Sequence, residues 1–311
     1  MKKRIVVWMA AMMVAAGMLA GCGGGGASSG ATTASTEAET TKAGTEKAGD
    51  EKAGAGTTTA TTEAGTTEAE KAEKEEDPEE VELLVAAAAS LKNAYEEELI
   101  PMFQEANPGV TVKGTYDSSG KLQTQIEEGL GADVFMSAAV KQMDALDEEG
   151  MIVSDTITDL LENKIVLIVP AGQEGSLSAF EDIADAASIA LGDPESVPAG
   201  QYAQEALTSL GVWDGIQDKV SFGTNVTEVL NQVAAASADA GIVYATDAAS
   251  MADQVTVVAE APEGSLAKKV IYPVAVVKAT AHEEQAKAFV EFLKTEDAIA
   301  VFESYGFAAV E

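Results

Sequence analysis

Apolar and polar positions follow two alternating periodicities from residue 81 onward. The run VELLVAAAAS, Val81 to Ser90, is apolar and ends in small residues, a pattern typical of a buried strand. Leu91, Tyr95, Leu99 and Phe103 then recur at helical spacing and predict a helix, which Pro101 is expected to kink or split. This alternation of strand and helix predicts an α/β fold with mostly parallel sheets.

Further elements follow the same pattern. Strands are predicted at VTVKGTY, ADVFMSA, KIVLIVP, IALGD, AGIVYA, VTVVAE and IYPVAVV. Helices are predicted at KLQTQIEEGL, VKQMDALDEEG, IADAAS, AGQYAQEALTSLG, VTEVLNQVAAA and, as two closing helices, in AHEEQAKAFVEFLKTEDAIAVFESYGF. Ligands of such folds bind at the carboxyl ends of strands, next to helix N-termini, so these junctions are the candidate sites.

The first 22 residues have the pattern of a lipoprotein signal peptide. Lys2, Lys3 and Arg4 precede the apolar run from Ile5 to Ala20, which is short for a membrane span. The run ends in LAGC, which resembles a lipobox, so we predict that Cys22 is lipidated and becomes the first mature residue. A free or buried thiol is the alternative. Because Cys22 is the only cysteine, no intrachain disulfide can form.

Residues 23–80 form a low-complexity segment. It lacks Val, Ile, Leu, Met and all aromatic residues, so it has no apolar surface to bury and is predicted to be disordered. A flexible coil of this length reaches roughly 40 Å. With a lipid on Cys22, the segment is predicted to tether the folded part to the outer face of a membrane.

Charge narrows the choice of partners. The formal net charge is −33, and residues 81–311 hold 38 acidic against 11 basic residues, with no arginine. Nucleic acid is not an expected partner, because phosphate contacts need clustered Lys and Arg. Any small anion must therefore be held without an arginine and against the field of the whole domain.

The sequence gives little support for catalysis or for a bound metal cation. His282 is the only histidine, lies in a polar helix and is expected to be solvated. Neither a nucleophilic triad nor a zinc site can be assembled around it, and no calcium loop of the EF-hand type is present. No cofactor is predicted.

The stretch GTYDSSGKLQTQI departs from a phosphate-binding P-loop. Gly114 and Gly120 are separated by five residues instead of four, and Leu122 follows Lys121 where a hydroxyl would hold magnesium. We therefore expect Lys121 to be a surface residue in the first turn of a helix and not a phosphate ligand.

Several strand-to-helix junctions carry suitable donors. Ser90 follows the first strand, and Ser118 and Ser119 follow the second; alone, each is an ordinary N-cap. Backbone N–H groups after Pro198 and around Asn225 and Val226 open two further helices, and Tyr244 ends a strand. A helix N-terminus carries about half a positive charge, so converging helix starts can bind an anion without arginine.

These motifs together resemble a known family. AAASLKNAY, YDSSGKLQTQI, GADVFMSAAVKQMDAL, LGDPESVPAGQYAQEALTSLGVWD, GIVYATDA and YPVAVV, in this order from about Glu82 to Phe307, are similar to the molybdate-binding proteins of ABC-type molybdate importers. The resemblance implies a two-lobed periplasmic-binding-protein-like fold (type II), with two crossovers between the lobes and the ligand in the cleft. It also implies five contacts to the oxyanion, with molybdenum present only as molybdate: Ser90, Ser119, Ala199, Val226 and Tyr244.

The resemblance also assigns roles to these residues. Ser90 and Ser119 would use side chain and backbone, Ala199 and Val226 their backbone N–H groups, and Tyr244 its hydroxyl. At Gly120 some relatives carry a third serine. Asp117, beside the loop, is expected to point away from the site because a carboxylate would repel the dianion.

The expected organisation follows from this resemblance. Residues 81–162 and 246–311 would form the first lobe and residues 163–245 the second, with crossovers near Glu162–Lys164 and Ala245–Asp247. The predicted function is that of a monomeric, lipid-anchored extracytoplasmic protein that captures molybdate, and also tungstate, for an ABC permease. A sulfate or phosphate receptor, a phosphate-handling hydrolase and an adhesive surface lipoprotein remain as alternatives.

Overall fold

The computed structural model describes residues 80–173, 175 and 177–310. The predictions for the signal peptide, for Cys22 and for the tether of residues 23–80 fall, apart from Glu80, outside these residues. Within them, no helix has both the length and the apolar character that a membrane crossing requires.

Eleven strands are formed within the described residues. They are β1 Val81–Ala88, β2 Val110–Asp117, β3 Val134–Met136, β4 Thr158–Asn163, β5 Ile165–Pro170, β6 Ile189–Gly192, β7 Val220–Gly223, β8 Ala240–Tyr244, β9 Val255–Glu260, β10 Val270–Val276 and β11 Ala308–Ala309. The sequence pattern had not predicted β4, β7 or β11.

Ten α-helices occur in the same residues. They are α1 Lys92–Ala94, α2 Ile100–Ala106, α3 Ser119–Glu127, α4 Val140–Glu148, α5 Pro198–Ser209, α6 Trp213–Ile216, α7 Val226–Ala234, α8 Ala245–Ser250, α9 Glu283–Leu293 and α10 Glu296–Ser304. A 3₁₀ helix at Ala89–Leu91 precedes α1, and another at Phe180–Asp185 takes the place of the helix predicted at IADAAS.

The predicted break at Pro101 takes the form of a π-helical turn. Tyr95–Leu99 has π-helical geometry, and Pro101 lies in the first turn of α2, immediately after it. Because proline has no N–H and its ring clashes with the carbonyl four residues earlier, a wider turn accommodates it without ending the helix.

Strand pairing divides the fold into two lobes. The first lobe contains a six-stranded sheet in the order β11-β4-β10-β3-β1-β2, and the second a five-stranded sheet in the order β7-β6-β8-β5-β9. The two-lobed α/β architecture is thereby confirmed. Helices α9 and α10 pack on the first lobe, where the rings of Phe289 and Phe302 lie 6.1 and 6.0 Å from that of Tyr95.

The chain crosses between the lobes twice. The first crossover is where it was expected, because β4 ends at Asn163, β5 begins at Ile165 and only Lys164 separates them. The return predicted near Ala245–Asp247 is wrong, since β9 still belongs to the second sheet and pairs with β5. Because every residue of β5 is buried, both of its edges need partners, and the chain returns only between Glu260 and Val270.

The sheets are mixed, which corrects the prediction of mostly parallel pairing. β1 pairs in parallel with β2 and β3, and β6 with β7 and β8, whereas the pairs made by β5, β10 and β11 are antiparallel. The crossovers explain the difference. Strands of the βα units run toward the cleft and end there, while β5 and β10 enter their sheets from a crossover and run away from it.

Candidate anion-binding site

The structure brings the five predicted contact residues to one small cavity between the lobes. Ser90 and Ser119 line it from the first lobe, and Ala199, Val226 and Tyr244 line it from the second. The cavity has a volume of ≈ 10 Å³, which suits a single compact species and not an extended ligand. Their role as ligands remains a prediction, but their convergence is a property of the fold.

Ser90 is held by a chain of polar side chains. It lies in the 3₁₀ helix after β1, and its Oγ is 3.0 Å from the hydroxyl of Tyr272. Asn163 Nδ2 donates to the same Tyr272 hydroxyl at 3.3 Å. Because the Tyr272 oxygen accepts from Asn163, its own proton can go to Ser90, and the Ser90 hydroxyl can then donate into the cavity.

Ser119 is the first residue of α3 and is completely buried. The preceding Ser118 is the N-cap, and its side chain accepts from the N–H of Lys121. Ser119 Oγ accepts a hydrogen bond of 2.9 Å from the N–H of Ala138. This bond fixes the hydroxyl oxygen and leaves its proton available, so Ser119 is oriented as a donor.

Two further helices begin at the cavity from the second lobe. Pro198 opens α5, so the first N–H of that helix belongs to Ala199, and Val226 is the first residue of α7. N–H groups in the first turn have no acceptor within their own helix. Together with α3, three helix N-termini converge here, and each carries about half a positive charge.

Tyr244 reaches across the cleft. It ends β8, is fully buried, and its hydroxyl donates to the carbonyl oxygen of Ala138 in the first lobe at 3.2 Å. Burial raises the pKa of Tyr244 well above its ordinary value. The hydroxyl therefore keeps its proton over the whole physiological pH range; this single proton goes to Ala138 here and would have to turn away from it to reach an ion in the cavity.

No cationic side chain lines the cavity among the described residues. One carboxylate, that of Asp117, borders it. Its Oδ1 accepts from the N–H of Ser118 at 2.8 Å, from Lys121 Nζ at 3.3 Å and from Asn225 Nδ2 at 3.3 Å. Asp117 thus has donors of its own, and Lys121, as expected, lies in the first turn of α3, about one third exposed.

Contacts between the lobes surround the cavity, and sequence reasoning missed all of them. Besides the Tyr244–Ala138 bond, Gln142 Nε2 donates to Gln201 Oε1 at 3.2 Å. The N–H of Gly120 also donates to the carbonyl oxygen of Ser196 at 3.0 Å. No local signal marks these residues, because each pair is distant in the sequence.

One buried acid lies close behind the site. Asp247, in the first turn of α8, is 6% exposed, and its Oδ2 has no hydrogen-bond partner. Burial raises its pKa from 3.8 to about 7. Its neighbour Thr246 accepts from Asn163 Nδ2 at 2.9 Å, so α8 is tied to the first crossover beside this acid.

A second groove lies next to the cavity. This wider groove of ≈ 820 Å³ lies between Lys92, Tyr116 and α7, and of the five predicted contact residues none lines it. Within the part of the chain that the structure describes, no group of three or more His, Cys, Asp or Glu side chains is arranged to hold a metal ion.

Comparison with known proteins agrees with the geometry. Residues 83–308 match the model of a family described as bacterial extracellular solute-binding protein. The chain belongs to this family. It is 41% identical over 234 residues to the putative ABC transporter substrate-binding lipoprotein YvgL of Bacillus subtilis, a match that covers 75% of this chain and 89% of that protein.

Among these solute-binding proteins, the chain is similar to several that are named molybdate-binding. The chain is 39% identical over 235 residues to the molybdate-binding protein ModA of Escherichia coli, covering 74% of this chain and 90% of that one. The substrate-binding domain of a putative molybdenum ABC transporter from Clostridium difficile superposes with a TM-score of 0.58 at 42% identity, covering 74% of this chain and all of that one. The chain is thus a substrate-binding component of an ABC transporter, in the molybdate-binding family.

Proposed function

We propose that this protein captures molybdate or tungstate and delivers the bound ion to an ABC permease. The observation that carries the proposal is the cavity itself. Hydroxyl groups from both lobes and three helix N-termini converge on it, and no Lys, Arg or His among the described residues lines it. Such a donor set suits a compact, fully deprotonated tetrahedral dianion.

The donors are sufficient in strength. A hydrogen bond to a charged group contributes about 1.5–3 kcal/mol, and a helix N-terminus adds about 0.3–1 kcal/mol for a nearby anion. The three hydroxyls of Ser90, Ser119 and Tyr244 and the N–H groups of Ala199 and Val226 therefore offset the repulsion from an acidic domain. Sulfate is smaller, so donors placed for molybdate would be stretched around it.

We propose further that the protein acts on the outer face of the membrane, held by a lipid at Cys22. Two observations support this. The LAGC motif follows an apolar run of signal-peptide length, and a relative of 41% identity is named a lipoprotein. The segment of residues 23–80 would let the binding domain move over roughly 40 Å to reach its permease.

Calorimetric titration with molybdate, tungstate, sulfate and phosphate tests the ligand. Molybdate and tungstate should bind with one site per chain and similar affinity, and sulfate at least about tenfold more weakly. Equal or tighter binding of sulfate would overturn the proposed ligand. If none of the four ions binds, the alternative of an adhesive surface lipoprotein is favoured instead.

Asp117 supports phosphate as the second candidate. A phosphate receptor needs an acceptor for the phosphate proton, and this carboxylate borders the cavity. Its Oδ1 already accepts from Ser118, Lys121 and Asn225, which favours the fully deprotonated ion. Asp117→Asn should leave molybdate affinity unchanged or improved, whereas in a phosphate receptor the variant would no longer bind phosphate.

The alternative of a phosphate-handling hydrolase is tested by an activity assay. Turnover of a phosphate ester by the purified protein would favour it.

A further inference from the structure

Two side-chain amides meet across the cleft beside the cavity. Gln142 lies in the first turn of α4 in the first lobe and is 2% exposed. Gln201 lies in α5 of the second lobe, two residues after Ala199. Gln142 Nε2 donates to Gln201 Oε1 at 3.2 Å. Because each amide belongs to a different lobe, this interlobe amide pair exists only while the lobes are closed.

The interlobe amide pair is only half satisfied. Gln142 Oε1 and Gln201 Nε2 are closed to solvent and have no hydrogen-bond partner among the described residues. Exchanging oxygen and nitrogen in both amides would make Gln201 the donor and Gln142 the acceptor, again with one bond and two unpartnered atoms. The deficit is therefore a property of how the two side chains meet.

The balance of these contacts opposes closure. A neutral hydrogen bond contributes little net stability, because both groups bond to water before they meet. A buried donor or acceptor without a partner loses its bond to water outright, and each such loss costs about as much as one bond contributes, or more. With two unpartnered atoms against one bond, the pair is more stable when the lobes part and water reaches both amides.

Other bonds across the cleft do not share this deficit. The N–H of Gly120 donates to the carbonyl oxygen of Ser196 at 3.0 Å, and the Tyr244 hydroxyl donates to that of Ala138 at 3.2 Å. None of these groups is among the buried unpartnered atoms of the described residues. An ion that draws the start of α5 towards the first lobe must therefore also close the one unfavourable contact, that between the two amides.

We propose that Gln142 and Gln201 set the affinity and the release rate of the bound ion by favouring the open arrangement of the lobes. Neither residue lines the cavity, so both are positioning residues that act on the ion through closure. The ligand used to test this inference rests on the proposed function, whereas the claim about closure concerns the free protein as well. A receptor that must give up its cargo in every transport cycle needs such a contact.

Methionine substitutions test the balance, because methionine is close to glutamine in length and helix propensity but has no strong donor or acceptor. Gln142→Met or Gln201→Met alone removes the bond and leaves both atoms of the remaining amide unpartnered. Each single variant should therefore bind molybdate as well as the wild type or more weakly. The double variant has no unpartnered amide atom and should bind molybdate at least about threefold more tightly. Exchange of bound radiolabelled molybdate should be correspondingly slower.

Hydrogen exchange of the ligand-free full chain measures closure independently of any ion. Gly120 is the second residue of α3, so its N–H has no acceptor within that helix and bonds to Ser196 of the other lobe. This N–H is protected only while the lobes are closed. Its exchange should be slower in the double variant than in the wild type.

Two controls sharpen the test. Gln217→Met makes the same chemical change at an exposed glutamine whose Nε2 donates to the carbonyl of Trp213 in the same lobe at 3.0 Å, so affinity and exchange should not change. The ratios of the affinities for molybdate, tungstate and sulfate should be the same in the double variant as in the wild type. A changed ratio would place the amides in contact with the ion and overturn the inference.

The pattern of the three variants is decisive. Weak singles and a tight double variant support the inference, since a damaged fold cannot raise affinity. A double variant that binds as weakly as the singles would overturn it, because the pair would then hold the lobes closed. If the wild type binds no molybdate, the proposed ligand is wrong, and exchange at Gly120 in the free protein still decides: slower exchange in the double variant supports the inference, and equal or faster exchange overturns it.

Discussion

The hydroxyl of Tyr244 lies 3.2 Å from the carbonyl oxygen of Ala138, so a strand end of the second lobe donates a hydrogen bond to the first. Ala138 also donates its N–H to Ser119 Oγ. One residue of the first lobe thus contacts predicted donors from both lobes. Occupation of the cavity and approach of the lobes therefore depend on the same few atoms.

Tyr244→Phe should weaken molybdate binding by about 1.5–3 kcal/mol, because it removes one donor to a charged group. It should also reduce the compaction seen by solution scattering at equal subsaturating molybdate, since the variant can donate neither to the ion nor to the Ala138 carbonyl. Tyr305→Phe is the matched control: its hydroxyl donates to Glu97 at 2.9 Å, outside the cavity. Equal losses in the two variants would remove Tyr244 from the site.

Ser119→Ala and Lys121→Ala separate hydroxyl donors from charge. The first should cost about 1.5–3 kcal/mol of binding free energy. The second should cost less than about 1 kcal/mol, because Lys121 is partly exposed and pairs with Asp117 instead of facing the cavity. Calorimetry with molybdate measures both. A larger loss for Lys121→Ala would favour a P-loop-like site after all.

Asp247 makes stability depend on pH. Its pKa is about 7 in the folded protein and 3.8 ordinarily, so between these values the folded state binds more protons than the unfolded state. Stability must then fall as pH rises through this window, by about 1.4 kcal/mol per pH unit. The other titratable or charged groups around it are Tyr244, Tyr272, Lys92 and Tyr305.

Asp247→Asn removes this titration. Between about pH 5 and about pH 8 the wild type should lose roughly 2–3 kcal/mol more unfolding free energy than the variant. Chemical denaturation at the two pH values gives the difference, and any constant cost of the amide cancels. Parallel pH profiles for the two proteins would show that Asp247 keeps its ordinary pKa.

Cys22→Ala tests the anchor. The variant should be released from the membrane fraction or accumulate with its signal peptide, while the affinity of the binding domain for molybdate stays the same. Mass spectrometry of the mature N-terminus of the wild type identifies the lipid. An unmodified Cys22 in a wild-type protein that stays with the membrane would rule out the lipoprotein.

The sequence predicted the strand-to-helix junctions because each is local. A buried strand, a capping residue and an amphipathic helix lie within about 20 residues of one another, so Ser90, Ser119, Ala199, Val226 and Tyr244 could be placed at element ends. Their meeting at one cavity was predicted by resemblance alone.

The features that the sequence did not predict depend on residues far apart in the chain. Four of the six residues of the strand TDLLEN, β4, are polar, and it becomes a strand because β10 and β11 pair with its two edges. The second crossover was misplaced because Val255–Glu260 reads equally well as a strand of either lobe, and only its pairing with β5 decides. The contact between Gly120 and Ser196 depends on the approach of two lobes, which no local pattern encodes.

If the predicted donors hold the ion, their division between the lobes makes affinity depend on the angle between the lobes. Neither lobe alone surrounds the cavity, and among the described residues no cationic side chain lines it that could keep an anion after the lobes part. Retention and release can therefore be exchanged by a rotation small enough to leave every helix and strand intact. A transporter that rotates one lobe against the other would release the ion without having to break an ion pair with a cationic side chain.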